Sequence, residues 1–115
     1  MTIVETPFAW PMGQGDTLPA LTGTLIGSNG VAVDLTYAIS VVFNMASRDG
    51  RKVVTDGTVT VLDAMAGRVE YAWQAGDTDI AGDFTYSFTA TFPSGTLTFT
   101  NAAPKGIVRI SPRVP

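Results

Sequence analysis

The densest chemical spacing in the chain is Asp77-Thr78-Asp79-Ile80-Ala81-Gly82-Asp83. Carboxylates two and six residues apart around a glycine turn are the kind of oxygen donors that hold Ca²⁺. The match covers only part of an EF-hand loop, because Ala81 stands where an oxygen ligand is wanted and no Glu closes the loop. Asp and Thr are also ordinary turn and capping residues. Asp77, Asp79 and Asp83 are therefore the residues a metal ion would use, but the turn reading is favoured and no cofactor is expected.

Other catalytic arrangements find less support. Asp16, Asp34, Asp49, Asp56, Asp63 and Glu70 fall mostly at turns, whereas an acid/base hydrolase needs two carboxyls facing one cleft. A Ser or Thr nucleophile without His needs an amine as base, and Lys52 and Lys105 sit in no recognisable motif. Gly13-Gln14-Gly15 lacks the helix and lysine that would hold phosphate. No catalytic residue is expected, and the chain reads as a protein that is not an enzyme; a metal-dependent enzyme on Asp77, Asp79 and Asp83 is the outlying alternative.

Two aromatic groups matter for binding. Phe8, Trp10 and Met12, punctuated by Pro7 and Pro11, form an extended apolar arm that either covers a sheet edge or docks into a neighbour. They are the expected protein-contact residues. Tyr71 and Trp73 share a face with Val69, which favours core aromatics over a carbohydrate-stacking platform.

Composition narrows the classes further. In 115 residues there is no Cys and no His, which removes disulfides, thiolate nucleophiles, imidazole ligands and the usual proton shuttle. A net charge of −3 and a pI of about 4.5 leave no overall basic field for nucleic acid or an anionic membrane. No apolar stretch is long enough to cross a bilayer, and Met1 to Pro7 has neither the basic nor the apolar region of a secretory signal. Neither a nucleic-acid nor a membrane partner is expected, and synthesis in a cytoplasm without export by a signal of its own is.

The elements that must position these residues are strands. Sixteen Thr and twelve Val, with Gly, Asn and Asp gathered between apolar segments, favour a pleated, half-buried surface. Ile39, Val41, Phe43 and Met45 alternate with Ser40, Asn44 and Ala46, so residues 39–46 form a strand with that first set on the core. Phe84, Tyr86, Phe88, Ala90 and Phe92 alternate with Asp83, Thr85, Ser87, Thr89 and Thr91, giving a central strand. The turn Pro93-Ser94-Gly95 leads into Leu97 and Phe99, an antiparallel hairpin.

A second hairpin joins a strand over 20–26 to a short one over 31–33 through Ser28-Asn29-Gly30. Further strands are expected at 52–55, 58–62, 68–73 and 107–110, with turns at 48–50, 56–57 and 64–67 and a possible single helical turn at 75–81. Pro112 and Pro115 should stop the last ladder. The expected fold is all-β: an Ig-like two-sheet antiparallel β-sandwich of about eight short strands. It spans 14–110, between an extended N-terminal arm, 1–13, and a C-terminal tail, 111–115. Phe43, Phe84, Phe88 and Phe99 should carry the core, and loss of residues 1–13 should leave it folded.

Gly15-Asp16-Thr17, Asn29-Gly30 with Val33-Asp34-Leu35-Thr36, Gly67-Arg68-Val69 with Tyr71 and Trp73, and Gly76-Asp77-Thr78 with Gly82, Tyr86 and Phe88 together carry a resemblance. Over residues 14 to 110 the chain resembles the Ig-like N-terminal domain of tailed-phage baseplate upper proteins and related small phage virion proteins. That resemblance implies a non-enzymatic virion structural protein at the tail or baseplate, with other phage virion proteins as partners and an oligomeric state in the particle. It implies a virion location after synthesis in the host cytoplasm. A capsid head-decoration protein is the alternative within that class, and a glycan- or receptor-binding module the alternative outside it.

Overall fold

The computed structural model describes residues 3–5, 12–18, 20–47, 49–101 and 108–111, and the regular structure among them is entirely β. The organising strand is β8 (Gly82–Phe92), in which Phe84, Tyr86, Phe88 and Ala90 are buried on one face. Strict alternation over this length can satisfy only a period of two, so the residues between them face outward. One edge of β8 pairs antiparallel with β4 (Ser40–Ser47) along its whole length, from Ser40↔Thr91 to Ser47↔Phe84. The other edge pairs with β10 (Val108–Ser111) at Gly82 to Phe84 and with β9 (Gly95–Asn101) from Ser87 to Phe92. The expected 93–95 hairpin is thus formed.

β5 (Lys52–Thr58) flanks β4, and β2 (Met12–Gly13) runs parallel to β10. Beyond β9 the sheet continues through β1 (Ile3–Glu5), β3 (Leu21–Ile26), β7 (Arg68–Tyr71) and β6 (Thr60–Asp63). β1 is parallel to β9 and antiparallel to β3, so it is the hydrogen-bonded link between the two halves.

Those halves face each other across one core. Phe43 on β4 stacks on Tyr71 on β7 at 4.2 Å and 20°, although the two strands are not hydrogen-bonded neighbours. The sheet therefore curls almost into a barrel. Leu21, Leu25, Phe43, Val69, Phe88 and Phe99 are completely buried between the halves; each such side chain removed from water contributes about 1.5–3 kcal/mol.

The all-β class expected from alternation is seen, but the sheet is mixed and continuous, not antiparallel and split in two. Among the described residues ten strands replace the expected eight or so, and two of the pairings, β1 with β9 and β2 with β10, are parallel. The hairpin expected between 20–26 and 31–33 is formed, with Val33 N–H donating to Leu25 O and Gly27 N–H to Val31 O around the bridge Ile26↔Ala32, but its second arm is too short to become a strand. Within the expected arm, Ile3–Glu5 is a strand of the sheet and Val4 is 2% exposed, while Ser111 belongs to β10 instead of a tail.

Two further corrections have local causes. Ile39 precedes β4 and is 68% exposed, so the buried row of that strand starts only at Val41. Asp56-Gly57 is no turn between strands: β5 runs through it with extra residues relative to β4, and Asp56 adopts φ 51°. The Asp56 N–H is satisfied by Asn44 Oδ1 at 2.9 Å. Gly57 is required there, since a Cβ would meet Tyr71 Cε1 at 2.6 Å and Val54 Cγ1 at 2.9 Å. This is a β-bulge placed to let the Tyr71 ring approach the strand.

Candidate functional site

The acidic segment is divided among separate structural tasks. Asp77 Oδ2 accepts hydrogen bonds from the Tyr71 hydroxyl at 2.5 Å and the Gln74 N–H at 2.8 Å. Asp79 contributes its backbone carbonyl, which accepts from Gln14 Nε2 at 2.6 Å. Asp83 faces Arg109 across the β8–β10 pair and forms an ion pair at 3.0 Å. Thr78 between them is buried, its hydroxyl donating to Asp16 O at 2.7 Å while its carbonyl accepts from Gly15 N–H. The three carboxylates are thus not brought together, and no group of three or more His, Cys, Asp or Glu among the described residues could hold a metal.

Other acids act on their own loops. Two hydrogen bonds from Thr36, hydroxyl and backbone, hold Asp34 below the usual carboxylate range. The Ser47 hydroxyl and the Arg51 N–H do the same for Asp49. Asp63 Oδ1 accepts from the Ala66 N–H and closes the β6–β7 turn. A cleft lies between β5 and the segment after β7, lined by Thr55, Asp56, Gly57, Tyr71, Gln74 and Asp77. Its carboxylates are Asp56, on the bulge, and Asp77, already engaged.

Tyr71 and Trp73 are 2% and 4% exposed, so the core reading holds and no carbohydrate platform is formed by them. Phe8 and Trp10 lie outside the described residues; Met12 is described only as backbone in β2, so the expected contact arm has no described side chain.

The structure instead presents an apolar surface that the sequence reading missed. Tyr37, Ile39 and Met65 are 80%, 68% and 76% exposed. The segments carrying them are tied together at one end of the sheet: Leu35 N–H donates to Ala64 O at 2.7 Å, and Ile39 N–H to Thr91 O at 2.7 Å. Leu97, paired with Ala90 on the adjoining hairpin, is partly exposed as well. Gly67 makes this junction close: at φ 67°, a Cβ would lie 2.7 Å from Val33 O. Residues 35–47 and 84–101 contain no charged side chain, while Asp34 and Asp63 immediately precede the two residues of the Leu35–Ala64 hydrogen bond. The readable signal was a large apolar residue inside a turn, Met65 between Ala64 and Gly67, where no core position exists.

No family model matches the chain, and no curated protein matches it. The all-β architecture is similar to a solved structure, that of CopC from Methylosinus trichosporium OB3b. The likeness covers 100% of this chain and 98% of that one, with a TM-score of 0.57 and 8% identity, and is a likeness of fold. It corrects the expected phage structural role: the whole-chain match is with CopC, not with a tail, baseplate or capsid protein.

Proposed function

We propose that this chain is a non-enzymatic binding domain that works by protein–protein contact through its apolar end, with Tyr37, Ile39 and Met65 at the centre. The observation that carries this reading is the gathering of three large, mostly exposed apolar side chains on segments locked together by backbone hydrogen bonds. Singly exposed apolar residues are normal, whereas a cluster on a rigid junction suits a partner. The chemistry elsewhere supports the reading: among the described residues Asp34, Asp49, Asp63 and Asp77 accept hydrogen bonds from their own loops, and Asp83 pairs with Arg109. The facing halves of the sheet are compatible with an Ig-like variant of the sandwich, a fold that binds through the loops at one end.

Capture of partners from the source cell by the whole chain, compared with a Tyr37→Ser/Met65→Ser variant, tests this. At least one protein retained by the parent should be lost by the variant, with the thermal unfolding curve unchanged. Identical retention by both would remove the apolar end from the binding function.

A further inference from the structure

We infer that the slot between β9 and β3 is an exchange site, able to take the β1 strand of a second copy of this chain in place of its own. The inference is independent of the Tyr37 surface and stands on sheet topology.

Three observations carry it. β1 is only three residues long and sends one fully buried side chain, Val4, into the core. Elements with so few buried contacts open at a small fraction of the global free energy. Yet β1 is bonded on both sides, with Ile3↔Ile26, Val4↔Leu25 and Glu5↔Thr24 on β3 and Ile3↔Thr100 on β9. When it leaves, it uncovers two facing strand edges and an apolar hole, a vacancy that favours refilling by the same sequence.

The outer edges of the sheet do not compete for an incoming strand. β5 is interrupted by its bulge at Asp56, β6 is four residues long with a register shift between Val61 and Asp63, and β2 has two residues. Bulged and very short edges resist strand addition. The occupant is a second copy because that copy carries the matching register, Ile3-Val4-Glu5, by identity. The reach is comparable with the molecule itself: the seven steps from Glu5 to Met12, if extended, span about 24 Å, against 26 and 24 Å for its two shorter dimensions.

The chain has no cysteine, which makes the test direct. Ile3 and Ile26 are cross-strand partners and half-buried, at a Cα spacing that antiparallel pairing makes compatible with a disulfide. An Ile3→Cys chain is mixed with an Ile26→Cys chain at high concentration, warmed below the unfolding transition and oxidised. Exchange predicts disulfide-linked heterodimer above the random share set by the two homodimers, rising with concentration. Heterodimer at the random share overturns the inference. A control carries both substitutions in one chain, oxidised while dilute to lock β1 in its own slot, and must then stay monomeric on concentration. Equal dimerisation of the locked chain would also overturn it. Should the cysteine variants fold poorly, the parent chain itself must form a dimer on warming at high concentration that persists after dilution in the cold; its absence counts against exchange.

Discussion

The Tyr71 hydroxyl donates a hydrogen bond to Asp77 Oδ2 at 2.5 Å, and through it the segment following β7 is fastened to the aromatic core. The ring of the same tyrosine stacks on Phe43, which also meets Trp73 edge-on at 5.9 Å and Phe88 at 5.1 Å. One side chain therefore belongs both to the packing of the core and to the anchoring of a loop.

Tyr71→Phe keeps the ring and deletes the hydroxyl. A hydrogen bond to a charged acceptor is worth about 1.5–3 kcal/mol, and the loss in urea unfolding should fall toward the lower end because Asp77 still accepts from Gln74. Phe43→Ala removes the hub of the cluster and should cost about 3–5 kcal/mol. Equal effects from the two substitutions would contradict the distinction between anchoring and packing.

Alkaline pH should unfold the protein through its buried phenols. Burial pushes the Tyr86 hydroxyl up to about 12, and burial together with the Asp77 carboxylate pushes Tyr71 up as well. A raised phenol pKa means that the folded state holds its proton more tightly than the unfolded chain, whose tyrosines titrate near ~10. Stability from this source is therefore complete below pH ~10 and is lost as pH rises toward 12. For Tyr86 the difference corresponds to about 3 kcal/mol at most. Chemical denaturation between pH 9 and 12 should show this decline, and Tyr86→Phe should reduce its slope.

The bulge gives a paired prediction. Asn44→Ala leaves the Asp56 N–H to solvent and should cost about 1 kcal/mol. Gly57→Ala forces a methyl group against the Tyr71 ring and should cost about 1–3 kcal/mol by overpacking. If Gly57→Ala were neutral in thermal unfolding, the close approach of Tyr71 to β5 would be wrong.

Millimolar Ca²⁺ should leave the melting temperature unchanged, since a ligand raises it only when it binds the folded state and Asp77, Asp79 and Asp83 point to three different tasks. A rise that Asp79→Asn abolishes would show that the loop gathers its carboxylates around an ion.

The strands were legible wherever alternation was long. β8, β9 and β4 follow directly from rows such as Phe84, Tyr86, Phe88 and Ala90, because burial on one face leaves a period of two in the sequence. Pairing between distant strands leaves no such trace. Nothing in Ile3-Val4-Glu5 shows that it will lie between β9 and β3, and a positive φ at Asp56 looks in the sequence like an Asp-Gly turn. The exposed cluster escaped for a related reason: in the sequence Ile39 continues the apolar alternation of β4, but the strand begins at Ser40 and Ile39 lies outside it, exposed. In the acidic segment the particular partners of Asp77 and Asp83, Tyr71 and Arg109, are tertiary facts that no local spacing announces.

The pairing of Ile3 with Thr100 also sets an order of events during folding. The hairpin of β8 and β9 closes over two intervening residues and can form early, and β1 can meet β3 across a short loop, whereas the β1–β9 pair must close a loop that takes in nearly everything between Ile3 and Thr100. Long-range parallel pairing of this kind comes with a large closure entropy and slow kinetics. During synthesis β1 can therefore have one edge on β3 while its other edge waits for β9. Until Thr100 emerges, that second edge stays open to any chain being made beside it.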